Sequence, residues 1–232
     1  MAVDVRMFTV GPVGENAYIV RADSESKRAV MVDPGEEPRR LLEAAEQLDV
    51  QIEAILITHC HFDHIGAVAP VAKATGAPVW CPEFERPLLT DIMTWVPPGF
   101  GPFENYEPEH TVKGGERLQL AGMEFEVVFT PGHSPGHVTY ALASSKSPGG
   151  DEQDSPQTPL LLSGDVLFQG SVGRVDLPGG DWKTLERSIA TLLERFPEET
   201  AVYPGHMGVT TLGRERATNP FLQELRVPVG GS

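Results

Sequence analysis

The sequence predicts an α/β protein, on three observations. Short β-rich runs form a meander at the start of the chain, after which helical and strand-like periods alternate. The apolar run "AILI" at residues 54–57 follows an amphipathic helical stretch, as a buried strand of an α/β sheet does. Residues able to bind metal recur just past the ends of the predicted strands.

The elements follow in order. Residues 3–10, 17–22 and 29–33 are short and rich in β-formers, and the polar turn "DSESKR" makes the last two a hairpin. In "GEEPRRLLEAAEQL", Pro38 and acidic residues occupy the first turn, and Leu41, Leu42, Ala45 and Leu48 recur at helical spacing. Residues 64–75 allow a helix and "APVWC" returns to strand. Residues 92–110 carry Trp95, Phe100, Phe103 and Tyr106 among Pro and Gly, which predicts an ordered irregular loop able to wall a cleft. "ERLQLAGMEFEVVF" predicts a hairpin with Met123, Phe125, Val127 and Phe129 on one face and Glu124 and Glu126 on the other. "HVTYALA" and "PLLLSGD" are further strands. Asp181 caps an amphipathic helix whose Leu185, Ile189, Leu192, Leu193 and Phe196 share a face, and "TAVYPGH" is the last strand. Residues 144–158, polar and rich in Gly, Pro and Ser, predict a mobile loop within a single domain spanning 1–232.

Composition narrows the function. No apolar run approaches the roughly 20 residues that span a bilayer, and the N-terminus alternates like a strand rather than a secretory signal. Two cysteines, Cys60 and Cys81, cannot make a disulfide framework, so a reducing, cytoplasmic setting is expected. A formal charge of −15 opposes binding to nucleic acid or an anionic membrane. Two bound divalent cations would leave about −11, so this expectation survives metal binding.

The chemistry concentrates in "ITHCHFDHIGA", where His59, Cys60, His61, Asp63 and His64 fall within six positions. Residues two apart point roughly 200° apart on a helix, so the four ligand-type side chains are expected in a loop fixed by the strand before it. His133 in "FTPGHSPGH", Asp165 in "LLLSGD" and His206 in "VYPGH" also sit just past strands. Seven nitrogen and oxygen donors exceed one zinc-like site but suit two ions sharing a carboxylate. We assign His59, His61 and His133 to one ion and Asp63, His64 and His206 to the other, with Asp165 bridging. Such a pair would hold a hydroxide at neutral pH. Zinc is the expected metal, and the same donors accept iron or manganese. His137 is expected to support the site rather than bind metal, His110 to be exposed, and Cys60 to point away from the ligands.

These residues carry a resemblance. "THCHFDHIGA" matches the H-x-H-x-D-H signature of the metallo-β-lactamase-fold hydrolases, and "VDPG", "TPGHSPGH", "SGD" and "YPGH" follow in that family's order across nearly the whole chain. The resemblance implies an αβ/βα four-layer sandwich: two mixed sheets face to face, helices outside and metals at one edge. Asp165, "GRVDLPGGD" and "TTLGRERATNPFL" resemble the glyoxalase II (hydroxyacylglutathione hydrolase) branch in its shorter form. That branch implies a small-molecule thioester substrate, S-acylglutathione or a related compound. A metal-bridging hydroxide would attack its carbonyl, with Asp63 and Asp165 as the catalytic carboxylates. Arg174 matches the basic position that would clamp a substrate carboxylate. The chain departs from the branch at Asp176, where an aromatic is usual, and at Gly208, where a tyrosine is usual. A persulfide dioxygenase with one iron on His59, His133 and Asp165 is the alternative within the fold. A non-catalytic metal-binding protein is the alternative outside enzymology.

Overall fold

The computed structural model describes residues 3–142 and 159–223. The loop expected at 144–158 lies outside the described residues. The first half supplies β1 (Asp4–Val10), β2 (Glu15–Arg21), β3 (Arg28–Val32), β4 (Gln51–Leu56), β5 (Val79–Pro82) and β6 (His110–Val112). They form one sheet in that order, antiparallel from β1 to β3 and parallel from β3 to β6. The second half supplies β7 (Arg117–Leu120), β8 (Met123–Phe129), β9 (Val138–Leu142), β10 (Leu160–Gly164), a small hairpin of β11 (Leu167–Phe168) and β12 (Ser171–Val172), then β13 (Ala201–Pro204) and β14 (Thr210–Thr211). The second sheet runs β14-β13-β10-β9-β8-β7, with β10 and β13 parallel and the other pairs antiparallel.

Alternation along the strands builds three apolar layers. Between the sheets, Tyr18, Val30 and Leu56 meet Phe125, Val127, Tyr140 and Leu162. The opposite face of the first sheet, Ile19, Met31 and Ile55, packs on α1 (Pro38–Gln47), together with the short α2 (Phe62–Ile65) and α3 (Val68–Thr75). The short α4 (Arg86–Thr90) adds Leu89 to that first helical layer, and the opposite face of the second sheet, Val128, Ala141, Leu161 and Val202, packs against α5 (Trp182–Arg195), α6 (Leu212–Thr218) and α7 (Pro220–Gln223). The result is the αβ/βα sandwich with two mixed sheets. None of the described helices is long and apolar enough to cross a membrane.

Three local features differ from the sequence-based expectation. The helix expected over 64–75 is two helices, because a Cβ on Gly66 would press on the Gly35 carbonyl and the Phe103 ring, and the Ala67 N–H bonds Pro34. The loop 92–110 ends in strand, since His110 joins β6 beside Trp80. In β8 the alternation breaks: Val128 is buried against the helical layer, while Phe129, at the strand end, is 42% exposed. Both faces of this strand are covered, which alternation against Glu124 and Glu126 conceals.

Candidate metal centre

The sheets bring the ligand-bearing loops to one edge. β8 is antiparallel to β9, β9 to β10, and β10 is parallel to β13, so the segments after β8, β10 and β13 leave the second sheet on the same side. Those segments carry His133, Asp165 and His206. The segment after β4 meets them from the other sheet: the Thr58 carbonyl accepts from the Val138 N–H at 2.9 Å, and the Asn16 N–H donates to the Gly205 carbonyl at 2.7 Å.

The histidine motif is not all loop. His59 precedes a helix, and His61, in extended backbone, is the N-cap of α2, whose first turn holds Asp63 and His64. Alternation aims His59 and His61 the same way and turns Cys60 aside, its sulfur 3.6 Å from that of Cys81. The helical turn separates Asp63 from His64 by about 100°.

The seven ligand-type side chains converge. His133 Nε2 lies 3.2 Å from His59 Nε2 and 2.8 Å from His61 Nδ1, and the last two are 3.2 Å apart. A tetrahedral ion with bonds of about 2.0–2.1 Å sets its nitrogen ligands about 3.3 Å apart, so this triangle fits one face of such a site. Asp63 Oδ2 is 3.3 Å from His206 Nε2 and 4.0 Å from His64 Nε2. Asp165 faces both groups: Oδ2 is 3.5 Å from His133 and 3.6 Å from His206, and Oδ1 is 3.4 Å from His64. His64 Nε2 and Asp165 Oδ1 are buried without a hydrogen-bond partner. Orphaned buried donors and acceptors of this kind are costly unless an ion satisfies them. The residues present therefore fit a pair of metal ions.

The rear nitrogens of His59, His64, His133 and His206 are also held. His64 Nδ1 donates to Asp33 Oδ2 at 3.0 Å. Asp33 also accepts from the Thr58 N–H at 2.7 Å and the Thr58 hydroxyl at 2.6 Å, and that hydroxyl lies 3.1 Å from His59 Nδ1. His133 Nδ1 donates to the Arg174 carbonyl at 2.7 Å, and His206 Nδ1 to that of Gly14 at 3.2 Å. These bonds fix the tautomers that leave Nε2 of those four free for metal, whereas His61 presents Nδ1. Asp33, in the left-handed region at φ 46°, and Thr58 escape sequence reading; the only signal for Asp33 is its place in "VDPG". His137 is buried, 3.0 Å from the Thr130 hydroxyl, and its Nε2 accepts from the Asp165 N–H at 3.0 Å. It thus holds the backbone of the central carboxylate.

The electrostatics suit cations. Burial, reinforced by the neighbouring imidazoles, holds His59 well below the usual imidazole range, and burial followed by His133 lowers His61 to about 4. Burial pushes His64 down too, but Asp165, Asp33 and Asp63 outweigh it and hold it well above its ordinary value. In His206, burial is overcome by Asp63 and Asp165, and the value rises. Burial would raise Asp165 and Asp63, yet His64, His133 and His206 hold the first low, and His206 and His64 the second.

Backbone approaches close enough to demand glycine complete the cradle. A Cβ on Gly205 would collide with Asp165 Oδ1 and come within 2.6 Å of His64 Cε1. Gly164, at φ 48°, presses so close that a Cβ would meet Thr58 and His137. The site opens into a cleft of about 970 Å³. Trp95 lines it, whereas Phe100 packs 4.7 Å from the Phe62 ring, and Phe103 and Tyr106 pack on the first helical layer. Glu85, buried between the loops, accepts from the Cys60 and Gly136 N–H groups at 3.2 and 2.7 Å. Arg174 lines the cleft, but its guanidinium is exposed and forms a two-bond pair with Asp176, each bond 2.7 Å; Asp176 is thereby lowered to about 2. Asp176 therefore takes the Nε/Nη2 face of the guanidinium expected to clamp a substrate carboxylate. His110 is exposed and stacks on Trp80 at 4.0 Å.

Comparison with known proteins agrees with this architecture. The metallo-beta-lactamase superfamily matches residues 10–206, and the chain belongs to that superfamily. Hydroxyacylglutathione hydrolase GloC of Haemophilus influenzae is 32% identical over 223 residues, 95% of this chain and 98% of the relative. Among solved structures, BLEG-1 B3 metallo-beta-lactamase aligns with a TM-score of 0.82 at 37% identity, covering 94% of this chain and 99% of that one. TTHA1623 in a di-iron-bound form aligns with a TM-score of 0.76 at 41% identity, covering 94% and 100%.

Proposed function

We propose that the protein is a metal-dependent thioester hydrolase, glyoxalase II-like in its centre and cytoplasmic, with zinc as the metal and a small-molecule acyl thioester as substrate. The observation that carries this reading is the convergence of seven donors from both sheets on one edge, with Asp165 facing both halves of the set. Two divalent ions, when bound there, supply a nucleophilic water at neutral pH and polarise a carbonyl oxygen. His59, His61 and His133 would hold one, Asp63, His64 and His206 the other, and Asp165 both. Asp63 lies at the cleft and would orient the attacking water.

The leaving group follows from what the cleft lacks. A thiol has a pKa near 8.5 and departs as thiolate, whereas an amide nitrogen needs a proton from a general acid. Among the described residues lining the cleft, the carboxyl groups are the ligands Asp63 and Asp165, and Glu85, whose two oxygens accept backbone N–H groups. Among these described lining residues no carboxylic acid stands free to protonate an amine. The similarity to GloC supports a thioester, and the similarity to a B3 lactamase makes a lactam the natural control.

A second reading rests on His59, His133 and Asp165, which also converge by themselves, at 3.2 and 3.5 Å, as the triad of a mono-iron dioxygenase would. One screen separates the readings: release of thiol from a thioester panel including S-lactoylglutathione, oxygen uptake with a persulfide, and opening of a lactam, each before and after chelation. Chelator-sensitive thiol release is expected. Oxygen uptake with iron, lactam opening without thioester turnover, or bound metal with no turnover at all would each replace the thioester reading.

A further inference from the structure

The walls of the cleft speak to what the thioester carries. Phe84, Leu88, Trp95, Phe168, Leu177 and Met207 line the same space as the ligand cluster. Phe84, Trp95 and Met207 are 66%, 53% and 53% exposed, so large apolar side chains stand open to water around the centre. An apolar patch of this kind beside a concave site marks a surface that an apolar ligand covers.

The charges point the same way. Among the described residues lining the cleft, Arg174 is the only lysine or arginine, and its Nε and Nη2 are both committed to Asp176. That ion pair is exposed and has no net charge. A substrate carboxylate is drawn to a guanidinium by its charge and its paired donors, and here Asp176 takes the Nε/Nη2 face and cancels the charge. An acidic peptide thiol such as glutathione, which brings two carboxylates, would meet no uncompensated lysine or arginine among the described lining residues, in a protein whose formal charge is −15.

Resting on the thioester reading above, we infer that this cleft takes thioesters in which an apolar acyl chain is joined to an uncharged thiol arm. Phe84, Trp95 and Met207 cover the chain, and Asp176 sets the specificity by neutralising Arg174.

The test compares S-acetyl- and S-octanoyl-N-acetylcysteamine, both uncharged, with S-lactoylglutathione on the metal-loaded protein. Burial of each methylene favours binding about 3- to 4-fold, so the octanoyl ester should exceed the acetyl ester in kcat/KM by at least about 100-fold and should also exceed S-lactoylglutathione. Phe84→Ser, at an exposed wall position, should narrow the octanoyl-to-acetyl ratio by about 10-fold. Asp176→Asn, which frees the Arg174 fork, should raise S-lactoylglutathione turnover about 10-fold relative to octanoyl. Binding is read independently by quenching of tryptophan fluorescence in the metal-free protein. S-octyl-N-acetylcysteamine, a thioether, should saturate the signal at lower concentration than S-hexylglutathione, and the preference should reverse or vanish in Asp176→Asn. Turnover indifferent to chain length, or a wild-type preference for the glutathione ligands in either assay, overturns the inference and leaves the thioester reading standing. Inertness of every thioester with the lactam or persulfide consumed overturns both.

Discussion

Asp33→Asn tests whether the rear of the centre governs its front. Asp33 Oδ2 accepts two protons, from the Thr58 hydroxyl at 2.6 Å and from His64 Nδ1 at 3.0 Å, while Oδ1 accepts from the Thr58 N–H at 2.7 Å. Asparagine keeps the shape and can keep the bond to the Thr58 N–H, but its NH₂ then faces two donors. The hydroxyl can rotate; the imidazole can comply only by moving its proton to Nε2, the atom that would hold metal. Loss of such an orienting partner costs about 10- to 100-fold in metal affinity, or about 1.4–2.7 kcal/mol. Competition against a chromophoric chelator should show that loss, and the metal-free variant should also melt lower, because a buried donor facing a donor costs about 1–3 kcal/mol. Metal retention within twofold of wild type would refute the role given to Asp33.

Other expectations follow from the same geometry. Asp165→Asn should weaken retention of both ions by more than about 100-fold, because a neutral amide bridges poorly; elemental analysis after dialysis checks this, and unchanged content would remove the bridging role. Gly205→Ala should expel metal without unfolding the sheets, since its Cβ enters the space of Asp165 Oδ1; an intact far-ultraviolet spectrum with full metal content would contradict it. His64 and His206 are raised, and a metal requires them neutral, so affinity should be full above their raised values and fall as pH drops through them, with protons released on loading. Isothermal titration in buffers of different ionisation heat reads those protons, and a pH-independent affinity sinks the claim. Phe125→Ala, at a fully buried position between the sheets, should cost about 3–5 kcal/mol and lower the Tm by roughly 10 °C; a loss below about 1 kcal/mol would mean that this layer is not the core.

Much of this molecule is legible in its sequence, for identifiable reasons. "AILI" and "LLLSGD" read as strands because both of their faces are covered, and α5 reads as a helix because Asp181 accepts from the Thr184 N–H at 2.8 Å and one stripe of Leu and Ile faces the sheet. Metal-binding residues stand out because His and Asp directly after an apolar strand have few other uses at such density. Contacts made across the fold are the part that stays hidden. Asp33 resembles any turn aspartate until the sheets bring Thr58 and His64 to its two oxygens. Glu85 looks like a surface residue of "PEFER", yet it is buried and ties the two ligand loops together. Arg174 shows the limit of reading residues singly: its guanidinium is answered by Asp176 two positions on, and only side-chain geometry reveals that the pair closes. The break between α2 and α3 is likewise a matter of packing, at Gly66 against Gly35 and Phe103.

The claim beneath these expectations is that four chain segments meet at one edge to grip two cations. Anomalous diffraction from crystals of protein purified without added metal addresses it directly. Two peaks about 3.5–4 Å apart are expected, one against His59, His61 and His133 and one against Asp63, His64 and His206, with Asp165 between them. A single peak that leaves His64 and His206 bonded only to carboxylates, or none at this edge, would contradict it.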